Sequence, residues 1–132
     1  MKEIIHSYSQ AIDRLEEALN QEQITEISRD ASIQRFEFTV ELAWKSIQKF
    51  LRQEQIICRS PKECLKEAFT FGLIQDDKKW IQMMEDRNLT VHTYQERMAE
   101  EIYTRLNQYI PLFKYEWVDK EKRKECCAAY IA

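Results

Sequence analysis

A chain of 132 residues with a net charge of -3, one glycine and two prolines has room for one domain that buries about two thirds of its unfolded surface. So few turn formers beside plentiful Glu, Lys, Gln, Leu, Ile and Ala exclude a hairpin-rich fold and point to an all-α protein. The weak negative balance excludes a global basic field, so any contact with nucleic acid rests on a local patch or on a surface shared with a partner.

Ile4, Tyr8, Ala11, Ile12, Leu15, Ala18 and Leu19 recur at spacings of three and four, predicting a first helix over about residues 2 to 22 with His6, Asp13 and Glu17 on its wet face. The N-terminus enters this pattern at once, without an apolar signal core or cleavage site, and no apolar run reaches membrane-spanning length. A cytoplasmic protein that does not enter the membrane is expected. A second helix over about residues 28 to 53 carries Ile33, Phe36, Val40, Ala43, Trp44, Ile47, Phe50 and Leu51 on one face, with Glu37, Glu41 and Lys45 as a polar row beside it. Phe38 and Leu42 fall across that row as a smaller apolar patch, readable as a subunit contact or as partial cover by a neighbouring helix.

Ser60-Pro61-Lys62-Glu63 supplies an N-cap serine, a proline at the first helical position and a glutamate at the third, a capping box that starts a short helix. Cys64, Leu65, Ala68 and Phe69 form its inner face, and Gly72 is placed to end it in a left-handed cap. Asp76 or Asp77 then caps a fourth helix with Trp80, Met83 and Met84 inward. A fifth carries Ala99, Ile102, Tyr103, Leu106, Ile110 and Phe113 and is stopped near Pro111. From Trp117 the chain reads as a charged tail, giving a domain over 1–116 and a tail over 117–132, with the Lys120 to Glu125 run as a solvated face. Cys58 and Cys64 lie six apart, and Cys126 and Cys127 are adjacent. Neither spacing resembles a zinc knuckle, the vicinal pair reads as incidental thiols, and no motif calls for a cofactor or a metal.

Groups able to handle a phosphodiester gather in one run, Asp86-Arg87-Asn88-Leu89-Thr90-Val91-His92-Thr93-Tyr94. A guanidinium holds phosphate oxygens in a fork, an imidazole moves protons near neutral pH, and a phenol serves as donor or nucleophile. Continuing the fourth helix puts Arg87 on the side of Trp80, Met84 and Val91, facing the core, where a charge needs a partner or a function. On an unbroken helix His92 lies roughly 140° from Arg87, so the two do not converge. Either the helix breaks near Asn88, or a second copy of the chain completes the site.

The residues carry a family resemblance. The run from Ile33 to Lys45, the block Ser60-Pro61-Lys62-Glu63 with Glu67-Ala68-Phe69 and Gly72-Leu73-Ile74, and the run from Asp86 to Tyr94 together resemble the HEPN superfamily. More narrowly, they resemble the nucleotidyltransferase substrate-binding family, and the chain is similar to HepT-type toxins of HEPN/MNT pairs. The last run fits the HEPN pattern of Arg, four residues, His, one residue, Tyr. The resemblance covers most of residues 1 to 113, and the tail from about Trp117 has no counterpart in it.

The resemblance implies an antiparallel up-and-down four-helix bundle with an additional short helix, a homodimer whose Arg and His motifs face one another, and a minimal nucleotidyltransferase as partner. It further implies a candidate metal-independent endoribonuclease with Arg87 and His92 as catalytic residues. Arg87, Asn88 and His92 would hold the phosphate or nucleotide of an RNA, and Tyr94 would accept an adenylyl group. Two alternatives stand beside it: a non-catalytic substrate- or nucleotide-binding subunit of a two-component nucleotidyltransferase, and an inert dimerisation module. Each residue also has a purely structural role open to it: His92 as a helix cap, Arg87 in an ion pair with Glu37 or Glu41, and Tyr94 as an ordinary half-buried tyrosine. Trp44, Trp80, Met83 and Met84 read as core, and His6 as solvated.

Overall fold

The stripe at spacings of three and four winds Lys2–Leu19 into α1 and buries Ile5, Tyr8, Ile12, Leu15 and Ala18. This computed structural model describes residues 2–75 and 77–118. α2 spans Glu26–Gln53 and begins two residues before the expected position. Its start is a capping box in which Thr25 Oγ1 accepts from the Ser28 amide and Ser28 Oγ accepts from the Thr25 amide. A serine fills the place where Glu or Gln gives the recognisable signal.

α3 spans Pro61–Phe71, and Ser60 Oγ accepts from the Glu63 amide as expected. The Glu63 carboxylate reaches one residue further back than the usual box, to the Arg59 amide at 3.1 Å. Gly72 closes the helix at φ 90°, and the Leu73 amide donates to the Ala68 carbonyl at 2.9 Å. α4 spans Asp77–Leu89; Asp76 lies outside the described residues, and at Asp77 the helix has already begun. α5 spans Glu96–Pro111.

The helix directions follow from contacts between them. Arg35 donates to the Arg14 carbonyl and Thr39 to the Ala11 carbonyl, so α1 and α2 are antiparallel. Asp86 meets Arg105 while Trp80 meets Phe113, so α4 and α5 are antiparallel too. Arg29 faces Glu96 while Phe36 stacks on Tyr109 at 5.6 Å, so α2 and α5 run parallel. That relation is what up-and-down order requires of the second and fourth helices of a bundle. The fold is an all-α four-helix bundle of α1, α2, α4 and α5, with α3 as the short addition against α2 and α4.

Pro111 does not stop the chain's helical course. Beyond it Leu112–Val118 form a wider, π-type turn, and Leu112, Phe113 and Trp117 are buried. Trp117 packs edge-on against Phe50 at 5.7 Å, and its indole N–H donates to Ser46 Oγ at 2.7 Å. Trp117 is therefore a core residue and not the first of the tail, because a buried indole with a bonded N–H outweighs the charged run that follows it in sequence. Residues 119–132, with the Lys120 to Glu125 run, Cys126 and Cys127, lie outside the described residues. Cys58 and Cys64 are both buried and joined as a disulfide with Cα atoms 5.1 Å apart. A loop this short gains only about 2 kcal/mol from its cross-link.

Candidate functional site

The inner face of α4 is Trp80, Met83, Asp86 and Thr90, all buried, while Met84 and Arg87 are half-buried and Val91 is 66% exposed. The stripe expected through Met84, Arg87 and Val91 is thus turned by one residue. The cause is Asp86. Its carboxylate takes a forked pair from Arg105, Nε to Oδ2 at 2.9 Å and Nη2 to Oδ1 at 2.7 Å, and a short hydrogen bond from the Tyr109 hydroxyl. A carboxylate so satisfied can sit in a core. Hydrogen bonding to Asp86 raises the Arg105 guanidinium, and burial, reinforced by the same carboxylate, lifts the Tyr109 phenol well above its ordinary range. No role for Asp86, Arg105 or Tyr109 follows from the sequence reading. The available signal was the i, i+4 spacing of Arg105 and Tyr109 opposite an acid at the buried phase of α4.

Arg87 fares differently. Its Nη2 stands 3.9 Å from Glu41 Oε1, its Nη1 donates to Thr90 Oγ1 at 3.4 Å, and its Nε is buried without a partner among the described residues. Glu41 is shared with Lys45 at 3.4 Å. The ion pair with Glu41 is one of the structural roles open to Arg87, but 3.9 Å is longer than a hydrogen bond. The side chain is 26% exposed, so its loosely held Nη groups keep donor capacity for an anion.

α4 ends at Leu89, close to the expected break, and Thr90–His92 form one tighter 3-10 turn. Thr90 Oγ1 donates to the Arg87 carbonyl at 2.6 Å and Thr93 Oγ1 to the Thr90 carbonyl at 2.8 Å, which satisfies backbone acceptors that a helix end leaves open. The break carries His92 and Tyr94 outward. Both are exposed, Tyr94 by 78%, and their rings meet edge-on at 6.1 Å. Asn88 is also exposed. The rings of His92 and Tyr94 are brought together, whereas among the described residues no hydrogen bond or ion pair joins Arg87 to His92.

Tyr94 and Arg87 both lie against α2. Thr93 and Tyr94 line a cleft of about 630 Å³ with Asp30, Ile33, Gln34 and Glu37. One turn further along α2, Glu41 pairs with Arg87. On the other side of that turn lies a groove of about 650 Å³ lined by Ala11, Arg14, Arg35, Phe38, Glu41 and Leu42. Phe38 is 53% exposed there, as the second apolar patch requires. Trp80 and Met83 are core and His6 is exposed, as expected. Among the described residues no three His, Cys, Asp or Glu side chains cluster as metal ligands, and no helix is long and apolar enough to cross a membrane.

Comparison with known proteins adds the following. The sequence model of the family described as nucleotidyltransferase substrate binding protein like matches residues 3–120. A Haemophilus influenzae protein named probable ribonuclease HepT is 36% identical over 84 residues, and the match spans 60% of this chain and 58% of that relative's length. A crystal structure of a Thermus thermophilus protein is 39% identical with a TM-score of 0.76, covering 81% of this chain and 92% of that one. A Haemophilus influenzae structure, described as revealing the fold of a substrate binding domain of a nucleotidyltransferase, is 26% identical with a TM-score of 0.79, covering 88% of this chain and 97% of that one.

Proposed function

The chain belongs to the nucleotidyltransferase substrate binding protein like family, and from that premise we propose that it is a cytoplasmic HEPN-type subunit paired with a minimal nucleotidyltransferase, with metal-independent endoribonuclease chemistry at Arg87 and His92. The observation that carries the reading is the break after Leu89, which exposes His92 and Tyr94 side by side, while the part-exposed Arg87 is held only loosely by Glu41. An internal 2′-hydroxyl is the nucleophile. Its oxygen attacks the adjacent phosphorus, the bond to the 5′-oxygen breaks, and the products are a 2′,3′-cyclic phosphate and a free 5′-hydroxyl. His92 takes the 2′ proton or supplies one to the leaving oxygen, worth about 10² to 10⁴ in rate. Arg87 stabilises the charge that builds on the phosphoryl oxygens, and Asn88 orients them.

Because one chain leaves Arg87 and His92 unjoined, a two-fold homodimer is part of the proposal. The Phe38 and Leu42 patch, which shares Glu41 with the Arg87 pair, is the apolar surface suited to seat the second copy. Tyr94, exposed by 78%, is accessible as an adenylyl acceptor, and a nucleotide attached there would place a bulky anion against His92 and silence it. A reducing compartment would hold Cys58 and Cys64 as thiols, at a cost of about 2 kcal/mol.

The unjoined Arg87 and His92, together with a relative described as a substrate binding domain, favour as a second reading a subunit that binds acceptor or nucleotide without cleaving it. Expression in a bacterial host separates the two. The nuclease reading predicts growth arrest by the wild-type chain and relief by His92→Ala at equal protein level; arrest that persists in His92→Ala would contradict it.

A further inference from the structure

The cleft beside Tyr94 has a lining that phosphate chemistry does not use. Tyr94 and Gln34 are exposed residues, and Glu37 is a half-buried one whose carboxylate makes no ion pair or hydrogen bond among the described residues. Asp30, the other acid of the lining, is engaged with Arg29 at 3.3 Å. A carboxylate with no protein donor is open to donors that a ligand supplies.

We propose that this cleft is a base pocket with a preference for guanine, a proposal that rests on Arg87 holding the attached phosphate. Guanine alone among the four RNA bases sets two N–H donors side by side on its Watson–Crick edge, N1–H and the N2 amino group, next to the O6 acceptor. A single carboxylate accepts both donors, and an amide NH2 beside it donates to O6; Glu37 and Gln34 are that pair. Adenine sets a lone pair at N1 against the carboxylate, while cytosine and uracil each offer it one donor. Tyr94 supplies stacking, which favours any base and discriminates little. The cleft's volume of about 630 Å³ is in the usual range for small-ligand sites. Two carboxylates in the lining repel phosphate and direct it along α2 to Arg87, whose partner Glu41 lies four residues from Glu37, about 6 Å along the helix. Base and phosphate of one nucleotide are separated on that scale.

The test is titration of the full chain with GMP, AMP, CMP and UMP in turn, followed by backbone amide NMR shifts. The expected result is binding of GMP about fivefold or more tighter than of the other three, with the largest shifts around Gln34, Glu37 and Tyr94. Glu37→Gln removes the preference, Tyr94→Phe keeps it, and Tyr94→Ala weakens all four by about tenfold, the loss of one stacked base. Arg87→Ala should weaken all four equally and leave the preference intact, so the phosphate reading stands or falls on that variant separately. Equal binding of the four nucleotides, no binding of any, or a guanine preference that survives Glu37→Gln would overturn the base pocket.

Discussion

Asp86 and Arg87 adjoin in sequence yet meet different surroundings. Asp86 is 3% exposed and bonded on both oxygens to Arg105 and Tyr109, whereas Arg87 is held loosely by Glu41 and keeps one N–H without a partner. The same contrast separates the two ends of the segment: α4 and α5 are clamped through Asp86, while His92, at the end of a single 3-10 turn, and Tyr94, just beyond it, stand in solvent. Satisfied polar groups specify where the backbone goes, and unsatisfied ones remain available for a ligand. The clamp is scaffold, and the turn is the proposed site.

Breaking the clamp should give the largest effect on stability. Asp86→Ala leaves the Arg105 charge and the Tyr109 hydroxyl without their acceptor and should cost about 3 kcal/mol, at the lower end for a buried pair because Arg105 reaches solvent. His92→Ala, on an exposed turn, should change stability by no more than about 0.5 kcal/mol. Urea unfolding of the two variants against wild type measures both, and similar losses would erase the distinction between clamp and site.

A smaller effect sharpens the same comparison through pH. The Tyr109 phenol titrates well above its ordinary 10.0 in the folded chain, because burial and then the Asp86 hydrogen bond disfavour its anion. Tyr8 is held up likewise by burial. Between the unfolded and folded values the unfolded chain has released protons that the folded chain keeps. Stability is therefore full below about pH 10 and falls above it by about 1.4 kcal/mol per pH unit for each such group. Unfolding free energies between about pH 8 and about pH 11.5 should show this decline, and Tyr109→Phe should make it shallower. An unchanged slope in Tyr109→Phe would mean that neither burial nor Asp86 raises the phenol in solution.

Much of this architecture was legible in the sequence. Five helices follow from apolar spacing, and α3 follows from Ser60, Pro61, Glu63 and Gly72, because caps are local chemistry that sequence displays directly. The phase of α4 was not legible. Asp86 and Arg87 are both charged, and only the partners on α5, nineteen and twenty-three residues away, determine which of them is buried. Trp117 was misassigned because Pro111 resembles a stop and the following run is charged, whereas its burial depends on Phe50 and Ser46 on a distant helix. At the site, the residue types Arg87, Asn88, His92 and Tyr94 were legible as chemistry and the break near Asn88 as one of two geometric solutions. The face of α2 that joins them, with Glu37 on one turn and Glu41 on the next, needed the fold.

We propose that the exposed turn does chemistry on RNA while the buried clamp only supports it. The most direct measurement is cleavage of a labelled RNA pool in EDTA by purified wild-type chain, with His92→Ala prepared in parallel and both shown to be folded. Cleavage by the wild type and a loss of about 10² to 10⁴ in rate in His92→Ala are expected. No cleavage by unmodified wild type, or equal cleavage by the variant, would contradict the proposal.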